Sequence, residues 1–532
     1  MIGSRHGCRV ALVGPPKTHE LPGVRLAMKA RKQRVLLDLS MGLLGYCGIA
    51  QDVRLLYKTL ASSPDVELTG MIYPPFSRTV RHRFAKPTSP QSDRIANQAC
   101  FLWSLNEGPP QPPYPRPVRM LLKAAYAASR LTTRKAQLEP LVTSKLWPTV
   151  WRSMFRQTLS ASDIPLVENG QFVLANMSAD TIFMRVMGSR RPIRLDTSNY
   201  DFVITQTARP FTVSPGTQHI VRYHDMIPIT QPDTMSRTMD IEWHHRSIRQ
   251  CRDSFFVCNS EPTRENLVDV YPELMDRAAT VPYMLSNEYW PDGSASQVKS
   301  IISMRRSGAS GVTPRRSLKA TPRYLMCVST IEPRKNFTGL VQAFNILRAR
   351  QSIKRAAPDL KLIIVGGPGW KYEPILHAMR EPIAAGHVIH LEKVTSEELR
   401  VLYTHAEAFV FPSNAEGFGF PPLEAMQCDL PVIASDIAEH RWVLGDSALY
   451  CNSYDVNSIA DAVEQLVASE EAPALRRELV ARGRRRVERY TLDQCRDQWI
   501  DLLERLRSGE RPLASVPPAT TPFVSGSKER AA

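Results

Sequence analysis

Two glutamates eight positions apart, Glu416 and Glu424, frame the run EGFGFPPLE. Proline suits the first turn of a helix, where the N–H it lacks would have no partner. The run therefore predicts a loop at Glu416, a helix start at Pro421 or Pro422, and Glu424 in that helix's first turns. Gly417 and Gly419, on either side of Phe418, let a ligand approach the backbone closely, beside the positive end of the helix. Two acids flanking such amides can grip sugar hydroxyls while the amides hold phosphate. The carboxylates alone would read as favourable acids near a helix N-terminus. Further back, EPRKN offers Arg334 and Lys335 just before a helix, a pairing that suits a pyrophosphate; by itself it would read as a solvated charge pair. Gly366 and Gly367 end the apolar run LKLIIVGG, at the strand edge where nucleotides bind or where a simple tight turn would sit. His224 closes IVRYHD with Asp225 beside it; a lone histidine is more often a structural hydrogen-bonder than a catalyst.

These residues need elements to hold them. RVLLDL (34–39) predicts a strand, SMGLLGYCGIAQ a glycine loop carrying Gly45 and Gly48, DVRLLYKTLASS (52–63) an amphipathic helix, and VELTGMIY (66–73) the next strand. Strand, glycine loop, helix, strand opens a doubly wound α/β sheet. The first domain, 34–291, resumes at 202–206, 219–228 and 254–260, with Ser260 capping a helix, and closes at 278–285. An insertion fills 80–200. Within it 118–135 is helical in pattern, with Arg119, Lys123, Arg130 and Arg134 on one stripe, a pattern equal to a membrane-interface helix or an ordinary surface helix. Residues 292–320, rich in Ser, Gly and Arg, read as a linker. The second domain, 321–489, alternates strands at 323–329, 360–367, 387–394, 408–413 and 430–435 with helices at 337–350, 396–405 and 455–469. A last helix at 490–506 could cross back to the first domain. Residues 1–33 and 507–532 read as disordered. Two successive α/β halves leave a deep cleft, a common ligand site.

The chain's 532 residues suit two domains. Its net charge of +16 is uneven: eight Lys/Arg against one acid in 1–34, ten against two in 81–135 and seven against none in 299–323 carry +22, leaving −6 for the rest. Such segments suit an anionic membrane surface or nucleic acid, or are simply solvated chain. No run of about 18 apolar residues suggests a membrane span, and residues 1–33 lack the continuous apolar core of a secretory signal. Nine scattered cysteines without a C-x-x-C pair argue against a disulfide framework or a zinc site and fit a reducing cytosol.

With its flanks AMQCDLPVIASD and GDSALY, the 416–424 run resembles the E-x7-E segment of retaining glycosyltransferases of family 4. STIEPRKN, VGGPGW and HDMIP occur in that family's order. The resemblance is close over 323–450, patchy at 34–60, 219–230 and 254–268, and absent from 1–33, 80–200 and 292–320. It implies the GT-B fold, two Rossmann-like doubly wound domains facing a central cleft. It implies that Arg334 and Lys335 bind the nucleotide diphosphate, that Glu416 meets the donor sugar, and that Glu424 accepts from the ribose. Gly417, Phe418, Gly419, Gly366 and Gly367 would line the donor site, with Val394 beside the base and the loop of Gly45 and Gly48 approaching the donor phosphates or the acceptor once the cleft closes. His224, as a catalytic residue with Glu416, would face the donor sugar. LLGYCGI lacks the tandem Gly-Gly of many members. Asp429 stands where many have glycine, and aspartate tolerates the left-handed conformation such a turn needs.

The expectation is therefore a retaining hexosyltransferase using no cofactor and no metal, with GDP-mannose the favoured donor. HDMIP and TIEPRKN look most like the bacterial mannosyltransferases of O-antigen and polysaccharide synthesis. The expected acceptor is a glycan or lipid-linked oligosaccharide, and the expected location is cytoplasmic, peripheral on the inner face of the plasma membrane. No nucleic-acid partner is expected. The alternatives are a GT-B nucleotide-sugar epimerase or phosphorylase, and a non-enzymatic basic protein binding membrane or nucleic acid.

Overall fold

The computed structural model describes residues 31–510 apart from 46, 75–88, 107–114, 116, 119–120, 122–134, 189, 307 and 309–319. The extension 1–33, the tail 507–532 and the helix expected at 118–135 fall almost wholly outside the described residues.

Two large sheets organise the chain. The first orders its eight strands as Ala278–Thr280, Phe255–Cys258, Gln218–Tyr223, Phe202–Thr205, Gln33–Asp38, Val66–Ile72, Gln171–Ala175 and Leu138–Pro140. All pair in parallel except the last. The second orders six parallel strands as Val388–Leu391, Lys361–Val365, Tyr324–Val328, Ala408–Phe411, Val432–Ser435 and Ala448–Cys451. Their sequences are near-continuous apolar runs because helices cover both faces. In each sheet the first strand laid down ends up in the middle, and the chain then winds outward on both sides of it. Gln33–Asp38 lies between Val66–Ile72 and Phe202–Thr205; Tyr324–Val328 lies between Lys361–Val365 and Ala408–Phe411. At such a reversal neighbouring connections leave in opposite directions, and a crevice opens beyond the carboxyl ends of the strands.

Two expectations need correcting. The stretch 80–200 is not wholly an insertion: Gln171–Ala175 pairs with Val66–Ile72, and Leu138–Pro140 adds the sheet's antiparallel edge. QFVLA is a short apolar run with helices and a small sheet around it, so the surrounding polar sequence hid it. Nor is 292–320 a linker throughout. Ala295–Arg305 is a helix, and Val298, Ile301 and Ile302 are buried in the second domain's core. Three apolar residues at spacings of three and one form the minimum inward stripe, which the Ser and Arg composition masked.

The last helix, Leu492–Ser508, leaves the second domain and packs on the first, with Cys495, Trp499, Leu502, Leu503 and Leu506 in the first domain's core. Beside Trp499 lies a fully buried ion pair. Asp52, on the helix Gly48–Ala61, accepts from Arg222, on the strand Gln218–Tyr223, through Nε–Oδ2 at 3.0 Å and Nη2–Oδ1 at 3.1 Å. The remaining guanidinium donors reach the carbonyls of Cys258, Val281 and Pro282. The guanidinium also lies 4.9 Å from the Tyr283 ring centroid and 5.5 Å from that of Trp499.

Removing one partner of a buried pair strands the other charge. Asp52→Ala should lower stability by about 3–5 kcal/mol, read as a fall in urea midpoint. Asp501→Ala, which breaks an exposed pair with Arg505, should leave the midpoint unchanged.

Candidate active site

The carboxyl ends of both sheets face one cavity of about 1280 Å³. The twelve residues expected at the donor and catalytic site line it: Glu416, His224, Arg334, Lys335, Gly417, Phe418, Gly419, Glu424, Gly366, Gly367, Val394 and Gly48; Gly45, from the same loop as Gly48, is not in its lining.

Two loops leave adjacent strands at the second sheet's reversal point. One carries Glu332, Arg334 and Lys335 into the helix Phe337–Ala349; the other carries Glu416 to Gly419 into the helix Phe420–Gln427. Gly419 caps the second helix at φ +91°, a conformation that costs glycine least. The helix thus begins at Phe420, just ahead of the two prolines. Where the strands end, a Cβ on Gly366 would sit 1.8 Å from the Ser329 carbonyl oxygen, so only glycine fits. Asp429 does hold a left-handed turn, at φ +59°.

Glu416 joins the two loops electrostatically. Lys335 Nζ donates to Oε1 at 2.5 Å and Arg334 Nη1 to Oε2 at 2.9 Å. Arg334 Nε also pairs with Glu332 at 2.7 Å. Burial alone would raise the Glu416 carboxyl; Lys335 and Arg334 outweigh it and hold it down at about 2. Burial lowers the Lys335 ammonium from its ordinary range, with Arg334 adding to the effect. This cluster carries two fixed cations and an ionised carboxylate in a cavity where low dielectric strengthens every charge interaction.

Glu424 is its opposite. Its partners are neutral: Gln51 Nε2 donates at 3.1 Å and the Tyr403 hydroxyl at 3.4 Å. Burial lifts its carboxyl to about 7, and these two bonds only partly offset that. The two glutamates of one motif therefore differ in charge state near neutrality because only one has cations beside it.

His224 is fully engaged by the protein. The Gln206 carbonyl can only accept, so Nε2 carries the proton and Nδ1 accepts from the Tyr283 hydroxyl. Burial lowers the imidazole to about 4. The ring lines the cavity, but neither nitrogen is open to a sugar in this arrangement, so it holds the wall in place rather than exchanging a proton.

The domains touch directly around the site. Gly417 packs against the backbone of His224, where a Cβ would lie 2.1 Å from the carbonyl oxygen. Ser260 Oγ donates to the Gly417 carbonyl at 2.8 Å. Gly48 faces the Phe420 ring. Tyr283 stacks on Phe420 at 4.8 Å and packs on Phe418 at 4.9 Å. From the loop VGGPGW, Trp370 Nε1 reaches the Thr234 carbonyl at 2.6 Å. Sequence reasoning passed over Gln51, Tyr283, Glu332 and Tyr403. Glu332 stood inside a recognised motif and could have been found; the others carry no local signal.

Residues 313–486 match the family model described as glycosyl transferases group 1. Over 289 residues, 54% of the chain, the sequence is 26% identical to the O-antigen chain mannosyltransferase B of Escherichia coli and spans 70% of that protein. Over 109 residues it is 39% identical to the O-antigen chain mannosyltransferase RfbU of Salmonella typhimurium; that match covers 20% of this chain and 29% of that protein. The structure is similar to sucrose-phosphate synthase from Thermosynechococcus elongatus, with TM-score 0.56 and 16% identity over 90% of this chain and 100% of that one. The fold is GT-B, with two Rossmann-like domains.

Gly417→Ala places a methyl group into the backbone of the opposite domain. It should hold the domains apart, seen as a larger radius of gyration by small-angle scattering, with the helical content by circular dichroism unchanged.

Proposed function

We propose that this chain, whose residues 313–486 are a glycosyl transferases group 1 domain, moves a hexose from a nucleotide diphosphate sugar to a hydroxyl of a growing glycan, with retention at the anomeric carbon. It is a glycosyltransferase related to O-antigen mannosyltransferases; mannose, a GDP donor and a lipid-linked acceptor in bacterial cell-surface polysaccharide synthesis are the finer parts of the proposal, supported by the names of those relatives. Among the described residues no helix is long and apolar enough to cross a membrane. Action from the cytoplasmic face, with peripheral attachment, is part of the same proposal.

The observation that carries the reading is the Glu416–Arg334–Lys335 cluster on a cavity it shares with Glu424. The bond from the anomeric carbon to the donor phosphate breaks as the bond to the acceptor oxygen forms on the same face. The acceptor's proton passes to an oxygen of the departing phosphate. The ring gains oxocarbenium-like positive charge while the pyrophosphate gains negative charge. Arg334, Lys335 and the amides at 417–419 stabilise the leaving group. No reorganisation is needed to charge them, the general advantage of fixed dipoles and ions. To reach those cations the diphosphate competes with Glu416 and Glu332, which hold them otherwise. Glu416, ionised across the whole working range, then turns to the sugar's hydroxyls and balances the ring. Glu424 accepts from the ribose.

Glu416→Gln keeps the shape and removes the charge. It should lower kcat by about 10²–10³ while nucleotide diphosphate affinity in calorimetry rises, because the carboxylate that competes for Arg334 and Lys335 has lost its charge. Undiminished turnover would take Glu416 out of the mechanism.

Glu424 sets a pH dependence. Ribose hydroxyls donate to the ionised carboxylate, and the carboxyl, lifted to about 7, must lose its proton first. Affinity for GDP should rise as pH goes from 6 to 8, with proton release on binding at the lower pH detectable from calorimetry in two buffers. In Glu424→Gln the proton release should vanish and any remaining slope should be that of the nucleotide itself.

A further inference from the structure

We infer that Gln51, in the first domain, is a positioning residue that makes closure of the cleft answer to the donor's ribose: its amide reaches across to Glu424, holds that carboxylate for the ribose hydroxyls and links the two domains through it. This rests on the donor reading above, in which Glu424 meets the ribose, and adds the first-domain group that senses that contact.

The helix Gly48–Ala61 of the first domain and the helix Phe420–Gln427 of the second meet by their first turns. Gly48 faces Phe420, where a Cβ would stand 3.3 Å from the ring. One turn further along each helix, Gln51 Nε2 donates to Glu424 Oε1 at 3.1 Å. Gly48 and Gln51 are three apart and Phe420 and Glu424 four apart, the spacings that put residues on one helix face. All four line the cavity. The direction of Gln51 is fixed by its neighbour. Asp52 turns into the first domain to meet Arg222, so the helix cannot rotate without breaking that buried pair. On the other side the Tyr403 hydroxyl, from the helix Ser396–Thr404, donates to Glu424 Oε2 at 3.4 Å. A carboxylate has about four accepting sites, so each oxygen keeps room for one of the two hydroxyls of a ribose.

An amide suits a partner that changes charge. An ionised Glu424 only accepts, and Nε2 meets it. A protonated one donates, and the amide oxygen can accept after a half-turn of the amide. The link between domains therefore survives protonation but is stronger to the carboxylate, because a hydrogen bond to an ionised acceptor is about twice as strong as a neutral one. Ribose hydroxyls favour the ionised form and so tighten the link; by reciprocity, the closed cleft favours ribose. The ionisable groups facing Glu424 among the described residues are Tyr403, Tyr289 and Cys428. Burial raises all three, the thiol to about 12, so they stay neutral between pH 6 and 8 while the carboxyl titrates.

The test is calorimetry on the full chain between pH 6 and 8, in wild type, Gln51→Met and Gln51→Ala. The probes are GDP or UDP, whichever binds more tightly, and its 2′,3′-dideoxy counterpart. Wild type should prefer the nucleotide with both hydroxyls. In the variants that preference should fall about tenfold, with affinity for the dideoxy compound close to wild type. The rise of affinity with pH should also move to higher pH, because the carboxyl has lost a donor that favours its ionised form. Methionine is close to glutamine in size and a good helix former; alanine cannot overpack. Should one variant melt early, the other decides. An equal loss of affinity for both nucleotides, an unchanged preference, or an unchanged pH profile would overturn this role. A wild type that does not distinguish the two nucleotides, or binds neither, would instead sink the donor reading on which it rests.

Discussion

The buried pair Asp52–Arg222 is the constraint on which the architecture turns. An uncompensated charge in that position would be prohibitive, so Arg222 must keep both its carboxylate and its three carbonyl partners. Those partners come from different places: the first helix, the strand Phe255–Cys258, and the segment 281–282 that leads out toward the second domain. Satisfying one guanidinium therefore fixes the exit of the connection. Tyr283 follows immediately, its ring beneath the guanidinium, its hydroxyl on His224 and its face on Phe420. Trp499 closes the other side from the returning last helix. One charge thus ties together the first domain, the connection and the loop that bears Glu416.

The same network explains why the functional wall is rigid on one side and electrostatically loaded on the other. His224 is held as a single neutral tautomer by the Gln206 carbonyl, which can only accept, with the Tyr283 hydroxyl donating to the other nitrogen. Across the cleft, Arg334 and Lys335 are kept in place by Glu416 and Glu332, which also keep them neutralised. Such a cluster suits reversible binding of a polyanion: the cations are pre-positioned, and the anion exchanges for carboxylates that then face the sugar. Glu424, eight residues along and partnered by the neutral Gln51 and Tyr403, remains poised near neutrality. Position within a motif does not set charge state; the neighbours brought by the fold do.

Much of this was legible beforehand. Parallel strands carry near-continuous apolar runs, so the runs within Gln33–Asp38, Tyr324–Val328 and Ala408–Phe411 stood out without any partner being known. Gly417, Gly419, Pro421 and the cations of 334–335 carried local backbone and charge requirements, and all lie on the cavity. What was missed had no local signature. Gln171–Ala175 is a strand only because Val66–Ile72 lies beside it. The helix Ala295–Arg305 has three apolar residues in a polar, Arg-rich stretch. Gln51 and Tyr283 are ordinary residues whose partners lie far away in sequence.

The sequence by itself determined most of the elements, their alternation and the motif residues, because periodicity, turn preference and side-chain type are local properties. Tertiary structure alone decided which glutamate is ionised, which histidine nitrogen carries the proton, and where the two domains meet. Those outcomes depend on burial and on charges contributed from distant segments, and a side chain's free energy in either state is set by what surrounds it once the chain has closed.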